Sequence, residues 1–197
     1  MTRDAIRRLF VSTLLPVLLA AVTLNGDGAF GQDQPPGGPD SPVPSFDPER
    51  DTFWEIETNL GPITVRLFTD IAPRHAANIV RLACLGTYDG RYFHRVVPGF
   101  VVQGGGMAPA DSGRSGVGYS LPQERDPGVG HDRAGLVSMV AEQDRSRGGE
   151  FFIILAPAPW LDDRNTVFGE VVAGMSTVAA IEAVGSKEGT PSTPVTI

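Results

Sequence analysis

Apolar and polar residues alternate with a period of two along several short stretches of the chain, and this alternation predicts β-strands. Residues 53–57 (FWEIE) and 63–68 (ITVRLF) show it most clearly, with the turn sequence NLGP between them. Further short segments rich in Val, Ile and Phe are also predicted to be strands: 92–97, 100–103, 135–141, 151–155, 166–172 and 195–197.

Two segments carry apolar residues at the spacing of three and four that is typical of helices. The first covers 73–85, begins at Pro73 and is closed by Gly86; the second covers 175–183. Cys84 lies on the apolar face of the first helix and is expected to be a small core residue. Many short strands and only two helices predict a mainly β fold, a closed antiparallel barrel with helices as plugs.

Residues 1–31 have the composition of a secretory signal peptide. Three arginines among residues 1–8 precede an uncharged apolar run over 9–24, which is shorter than the roughly 20 residues that span a bilayer. An uncleaved anchor and a buried helix are the alternatives, and Arg7-Arg8 is a weak cue to twin-arginine export. The pattern predicts an exported protein, periplasmic or otherwise extracytoplasmic in a bacterium, with no stable membrane insertion after signal cleavage.

Residues 32–50 (QDQPPGGPDSPVPSFDPER) form the next segment, which is rich in proline and glycine. Its six prolines leave only Val43 and Phe46 to bury, so it is predicted to be a linker. It could tether the domain away from a membrane or cell wall, or be a spacer without a partner. Residues 51–197 are then one folded domain of ordinary size.

Charge and composition exclude several classes of function. The net charge is −7, whereas a nucleic-acid-binding domain normally presents a basic face, so nucleic acid is not an expected partner. One cysteine cannot form an internal disulfide or supply a zinc site alone, and the three histidines show no ligand spacing. No metal and no cofactor are therefore expected.

The chain lacks a G-x-S-x-G elbow, a Walker loop and an H-E-x-x-H pair. Ser138 lies within a predicted strand with no evident base partner, which leaves no sign of a hydrolase. Residues 93–105 (FHRVVPGFVVQGG) instead place Arg95 on the same strand face as Phe93 and Val97. An arginine there is expected to be half-buried and to face an anion or a carbonyl group.

The sequence FHRVVPGFVVQGG resembles the signature of the cyclophilin family of peptidyl-prolyl cis-trans isomerases. The resemblance continues through GLVSM at 135–139, EFFI at 150–153, WLDD at 160–163 and VFGEV at 167–171, and it spans 53–197. It implies an eight-stranded antiparallel barrel capped by two α-helices. It also implies catalysis of the rotation about X–Pro peptide bonds.

The resemblance further implies which residues act. Arg95, Phe100 and Gln103 are expected to be catalytic, with Arg95 donating a hydrogen bond to the nitrogen of a twisted prolyl amide. The expected substrate-binding residues are Val101, Val140, Ala141, Glu150, Phe152, Trp160, Leu161 and Asn165.

Four of these positions depart from the common family residue. Val101 replaces Met, Ala141 replaces Asn, Asn165 replaces His while keeping a hydrogen-bond donor, and Glu150 replaces Gln. Glu150 is expected to form a charge-assisted hydrogen bond with Arg95, which would orient the guanidinium or compete with substrate for it.

The sequence therefore predicts an isomerase that accelerates X–Pro isomerisation during the folding of exported proteins. Its expected partners are proline-containing polypeptides, and it is expected to be a monomer. The alternative, which Glu150 and Ala141 favour, is a cyclophilin-like binding or chaperone module with little turnover.

Overall fold

The computed structural model of the protein describes residue 42 and residues 45–107 and 117–197. The predicted signal peptide lies outside the described residues, and so does most of the predicted linker. Within the described ranges, none of the helices is both long and apolar enough to cross a bilayer.

Eight strands and two α-helices are formed by the described residues. The helices are α1 (Pro73–Cys84) and α2 (Met175–Ala183), and a short 3-10 helix covers Pro159–Leu161. The strands are β1 (Thr52–Thr58), β2 (Gly61–Leu67), β3 (Arg95–Val97), β4 (Val101–Gly104), β5 (Ser120–Pro122), β6 (Leu136–Glu142), β7 (Arg145–Ile154) and β8 (Val167–Ala173).

The strands belong to one antiparallel sheet whose main path has seven members, in the order β1-β2-β8-β6-β7-β4-β3. The eighth, β5, pairs with β7 outside this path. Since β1 and β3 are the two ends of the path and do not pair, the prediction of a closed eight-stranded barrel is wrong. The mainly β fold with two helices is confirmed.

The C-terminal residues form hydrogen bonds close to both end strands of the sheet path. Val195 accepts a hydrogen bond from the backbone N–H of Phe93 at 3.0 Å, and Thr196 accepts one from Asn59, at the turn after β1, at 3.2 Å. The segment 195–197, predicted as a strand, makes a single bridge from Thr196 to Tyr92. The C-terminal residues thus bond to segments next to β1 and β3, and within β3 the backbone of Val96 bonds to Gly189 and Ser186.

The predicted element boundaries fail chiefly at β5 and β7. No strand was predicted at 120–122, and β7 begins six residues before the predicted start at 151. Strand β5 has only three residues, Ser120–Pro122, whereas 145–150 (RSRGGE) is rich in Gly, Ser and Arg, which carry little strand signal. Strand β5 pairs with this part of β7, which is a strand here because β6 and β7 form a hairpin. Gln143 lies in its two-residue turn with a φ of 56°.

Two apolar clusters lie on either side of the sheet's central strands. The larger contains Trp54, Phe93 and Phe151 and packs under α1 and α2. Helix α1 buries Ala76 and Ile79, as its spacing predicts, but Cys84 at its C-terminal end is exposed, so the prediction of a core cysteine is wrong.

The end of the predicted linker contacts the domain. Phe46 packs against the larger cluster, and the Arg81 guanidinium on α1 donates a 3.0 Å hydrogen bond to the carbonyl oxygen of Pro42. The chain is therefore held against α1 before β1 begins.

Candidate active site

Arg95 and Gln103 lie directly opposite each other on the antiparallel pair β3–β4, which places their side chains on one face. The Arg95 guanidinium carbon lies 5.9 Å from the centre of the Phe100 ring. Arg95 is exposed, so the prediction of a half-buried arginine is wrong. Strand β3 begins only at Arg95, and the alternation counted from Phe93 does not continue through the irregular residues 93 and 94.

The smaller of the two apolar clusters lies beside this pair, and we call it the pocket cluster. Its buried members are Phe68, Val101, Leu136, Phe152, Ile154 and Val167, and the partly buried residues packed against them include Phe100, Val140 and Leu161. The register brings these residues together, since Val101 of β4 pairs with Ile154 of β7, and Gln103 with Phe152. Five of the predicted site residues therefore share one cluster.

Trp160 stands at the rim of the pocket on the 3-10 helix. It is 64% exposed, and its ring centre lies 6.0 Å from that of Phe100. A large apolar side chain that remains this exposed beside an apolar pocket is placed to cover a ligand.

Ala141 and Asn165 belong to a different part of the site. Ala141 is partly exposed near the end of β6, just after a register shift between Met139 and Ala141. The Asn165 side-chain amide donates a 2.8 Å hydrogen bond to the carbonyl oxygen of Met139. Its role here is to hold β6 at this irregularity, which differs from the predicted use of Asn165 as a donor to substrate.

Glu150 is completely buried, and among the described residues it makes no ion pair with Arg95, so the predicted Glu150–Arg95 pair is wrong. Its carboxylate is paired instead with Arg147, whose Nη1 lies 3.2 Å away. The Gln103 amide donates to it at 3.1 Å, and His94 Nε2 lies 3.9 Å away. The Glu150 side chain thus points beneath Gln103, and Arg147, three residues earlier on β7, is the cation it meets there.

The sequence does not identify His131 as a site residue, yet His131 contacts Phe152 of the pocket cluster, Ser138 of β6 and Asp162 at the end of the 3-10 helix. Its buried ring stacks on Phe152 with ring centres 6.1 Å apart and an interplanar angle of 15°. Its Nδ1 lies 2.7 Å from Asp162 Oδ1, and its Nε2 lies 2.8 Å from Ser138 Oγ. Its carbonyl oxygen accepts a 2.8 Å hydrogen bond from Ala158, which precedes the 3-10 helix.

Hydrogen bonding decides the chemistry of this Asp162–His131–Ser138 chain. Burial raises the pKa of Asp162, but hydrogen bonds from the backbone N–H and the ring of His131 lower it by more, so the pKa is below its ordinary value. The ionised carboxylate only accepts, so Nδ1 carries the hydrogen of that contact, and Nε2 accepts from the Ser138 hydroxyl in the tautomer with no hydrogen on Nε2. No sequence pattern joins these three residues, which meet only through the fold.

Asp162, His131 and Ser138 are the residue types of a hydrolytic triad, but they are not placed for attack on a substrate. Ser138 is fully buried within β6, so its hydroxyl cannot reach a carbonyl carbon in the pocket. Within the part of the chain that the structure describes, no group of three His, Cys, Asp or Glu side chains could hold a metal ion. Beside the pocket cluster the guanidinium of Arg95 and the carboxamide of Gln103 lie on one strand face, and we call this surface the groove.

The arrangement suits binding of a small apolar ring attached to a peptide. The pocket cluster can hold the ring, while Arg95 supplies a fork of charged donors and Gln103 an amide. A change in the conformation of a bound peptide does not require a nucleophile.

Comparison with known sequences agrees with this geometry. Residues 53–197 match the sequence profile of the family described as Cyclophilin type peptidyl-prolyl cis-trans isomerase/CLD. A Gibberella zeae protein named peptidyl-prolyl cis-trans isomerase-like 1 is 40% identical over 143 residues, which are 71% of this chain and 86% of that protein. The Schizosaccharomyces pombe peptidyl-prolyl cis-trans isomerase ppi1 is 43% identical over 125 residues, covering 62% of this chain and 79% of its own.

Solved structures give the same result. A crystal structure of a cyclophilin type peptidyl-prolyl cis-trans isomerase of Cryptosporidium parvum matches with a TM-score of 0.69 and 27% identity, over 75% of this chain and 94% of that one. A second crystal structure of the Cryptosporidium parvum protein, in the presence of the dipeptide Ala-Pro, matches with a TM-score of 0.68 and 29% identity. The match covers 74% of this chain and 95% of that one.

Proposed function

The chain belongs to the cyclophilin-type peptidyl-prolyl cis-trans isomerases, and from this premise we propose how and where it acts. As a member of this family it catalyses the cis–trans isomerisation of X–Pro bonds. We propose that Arg95 assists the rotation directly and that the clients are exported polypeptides awaiting this step.

The reaction requires no bond to break. Rotation about a peptide bond faces about 18–20 kcal/mol because resonance gives the C–N bond double-bond character. Uncatalysed X–Pro exchange therefore takes tens to hundreds of seconds. An enzyme accelerates it by binding the twisted amide better than either planar isomer.

Arg95 supplies the interaction that is specific to the twisted amide. As the prolyl nitrogen loses conjugation it gains a lone pair, and a hydrogen bond donated by the guanidinium stabilises that state. Phe100, Val101, Phe152 and Leu161 would hold the pyrrolidine ring in the pocket cluster. Gln103 and backbone groups near Val140 and Ala141 would bind the flanking peptide.

The observation that carries this mechanism is the position of the Arg95 guanidinium. It lies over Phe100 at the edge of the pocket, and among the described residues it makes no hydrogen bond or ion pair. A guanidinium without an internal acceptor, next to an apolar pocket, is available to a bound amide. The similar protein solved in the presence of Ala-Pro supports a prolyl ligand for this fold.

The test compares Arg95→Ala and Arg95→Lys with the wild-type chain on an X–Pro peptide, by exchange NMR at equilibrium. Loss of one preorganised donor is expected to lower kcat/KM about 10²–10³-fold in Arg95→Ala. Arg95→Lys keeps the charge without the planar fork and is expected to recover only part of this. Wild-type rates in Arg95→Ala would disprove the proposed role of the guanidinium.

The chaperone alternative predicts a different result. A binding module would suppress aggregation of an unfolded client with no change in its X–Pro exchange rate. The same client, followed by light scattering and by refolding kinetics, separates the two activities. Suppressed aggregation with unaccelerated refolding would favour the binding module.

Export is proposed on the sequence of residues 1–31 alone, with its basic start and short apolar run. N-terminal sequencing of the protein made in a bacterial host tests it. We expect the mature chain to begin near residue 32 and to be recovered outside the cytoplasm. An intact Met1 in the cytosolic fraction would contradict export.

A further inference from the structure

We propose that buried Glu150 fixes the orientation of the Gln103 side-chain amide, so that the groove presents a carbonyl oxygen and selects substrates with a backbone N–H at that subsite. This inference rests on the proposed function of Gln103 in binding the peptide that flanks the proline. It makes Glu150 a positioning residue and Gln103 the residue that contacts substrate.

The first observation is that the Gln103 amide nitrogen makes two polar contacts inside the protein. Its Nε2 lies 3.1 Å from Glu150 Oε2 and 3.2 Å from His94 Nε2. An amide nitrogen carries two hydrogens, so these two contacts account for its donors. His94 Nε2 accepts one of them when the imidazole carries its hydrogen on Nδ1.

The second observation is that Glu150 can only accept. Its side chain is fully buried and is paired with Arg147, which donates to Oε1 at 3.2 Å and to Oε2 at 3.4 Å. An ionised carboxylate has no hydrogen to give. If the Gln103 amide turned over, its oxygen would face the carboxylate at hydrogen-bond distance with no proton between them, and because Glu150 is buried the repulsion would be weakly screened.

With the amide nitrogen directed at Glu150, the Gln103 carbonyl oxygen is directed at the groove. Gln103 is partly exposed, and no described residue donates a hydrogen bond to its Oε1. Across the strand pair from it stands Arg95, which presents only donors. The groove therefore presents a donor and an acceptor side by side, the complement of a peptide's own C=O and N–H.

This arrangement predicts a preference among substrates. A residue that offers an N–H to Gln103 Oε1 is bound, whereas a second proline or an N-methylated residue at that subsite has no N–H to offer. With the common family residue glutamine at position 150, an amide would face an amide, and either orientation of Gln103 could be satisfied. Glutamate at 150 removes that freedom.

The experiment is an ester scan of a peptide with one X–Pro bond. Each backbone amide flanking that bond is replaced in turn by an ester, which removes the N–H and puts an oxygen in its place. The wild-type chain, Glu150→Gln and Glu142→Gln are compared by kcat/KM in exchange NMR. Glu142→Gln is the matched control, because Glu142 is exposed, contacts the same Arg147 and does not touch Gln103.

We expect one ester position at which the wild-type chain and Glu142→Gln each lose about tenfold, the effect of one hydrogen bond and of oxygen–oxygen repulsion. At that position Glu150→Gln should lose only about twofold, since its Gln103 can turn over and donate to the ester. Equal losses in Glu150→Gln and the wild-type chain at every position would overturn the proposal.

Neutron diffraction from deuterium-exchanged crystals of the wild-type chain gives a second readout that needs no variant. Deuterium on the Gln103 atom facing Glu150 is the expected result, and deuterium on the atom facing the groove would overturn the proposal even if Glu150→Gln does not fold. If the wild-type chain failed to accelerate the all-amide peptide, the proposed function would fall, while the neutron map would still decide the orientation of Gln103.

Discussion

Replacing His131 by phenylalanine should destabilise the domain and weaken catalysis together, although no atom of His131 needs to touch substrate. Phenylalanine keeps a flat ring against Phe152 but loses both ring hydrogen bonds, to Asp162 and to Ser138. The first holds the C-terminal end of the 3-10 helix that carries Leu161, and the second is made to a buried residue of β6.

The magnitude follows from what each partner loses. The Ser138 hydroxyl is fully buried and would be left without its acceptor, which costs about 1–3 kcal/mol. The Asp162 side chain is 39% exposed, so water replaces most of its lost hydrogen bond. We expect a total loss of about 2–3 kcal/mol in the free energy of unfolding, and a Tm lower by about 5–10 °C.

Urea denaturation and exchange NMR measure the two effects separately. Loosening of the loop around Leu161 is expected to lower kcat/KM about tenfold or more, since small misplacements of binding groups are costly in catalysis. Ser138→Ala supplies the control: in that background His131→Phe should cost at least about 1 kcal/mol less, because no hydroxyl is orphaned. Identical costs in the two backgrounds would refute the reasoning.

Three further predictions concern other parts of the domain. Burial would raise the pKa of Glu124, but hydrogen bonds from the side chain and backbone of His75 and the backbone of Arg74 lower it overall. The ionised Glu124 therefore stabilises the fold fully above the ordinary carboxyl pKa, and this stabilisation is lost as the pH falls below that value. Glu124→Gln should flatten the acid limb of the unfolding free energy measured in urea between about pH 7 and pH 3, and an unchanged limb would contradict this. Cys84, being exposed, should react with a thiol reagent in the native protein as fast as in urea. Gly105→Ala should lower the free energy of unfolding by well over about 2 kcal/mol, because the new Cβ would collide with a backbone carbonyl oxygen of β7. Gly90→Ala, at a similar positive φ but with open space around it, should lower it by about 1 kcal/mol. Equal losses in the two variants would contradict the predicted collision.

The family and most of its elements were readable along the chain. The alternation at 53–57 and 63–68 and the apolar spacing of α1 are local patterns, and the structure confirms these elements. The blocks around Arg95, Phe152 and Trp160 carried the family resemblance, which the family profile confirms. Such features are local because strand and helix periodicity depends only on near neighbours in sequence.

Contacts between distant residues could not be read in this way. Glu150 was expected to pair with Arg95, but the register of β4 against β7 puts it beneath Gln103, with Arg147 as its cation. A pairing of charges depends on which faces of which strands meet, and a one-residue change of register would reverse it.

The same reason explains the open sheet and the role of His131. Alternation predicts strands but not which edges pair, and here β1 and β3 are the two ends of the sheet path and do not pair with each other. His131 lies in a loop, seven residues from Ser138 and thirty-one from Asp162, with no periodicity to mark it. The chemical groups of the site are thus written locally in the chain, whereas their partners and protonation depend on long-range packing that only the folded protein creates.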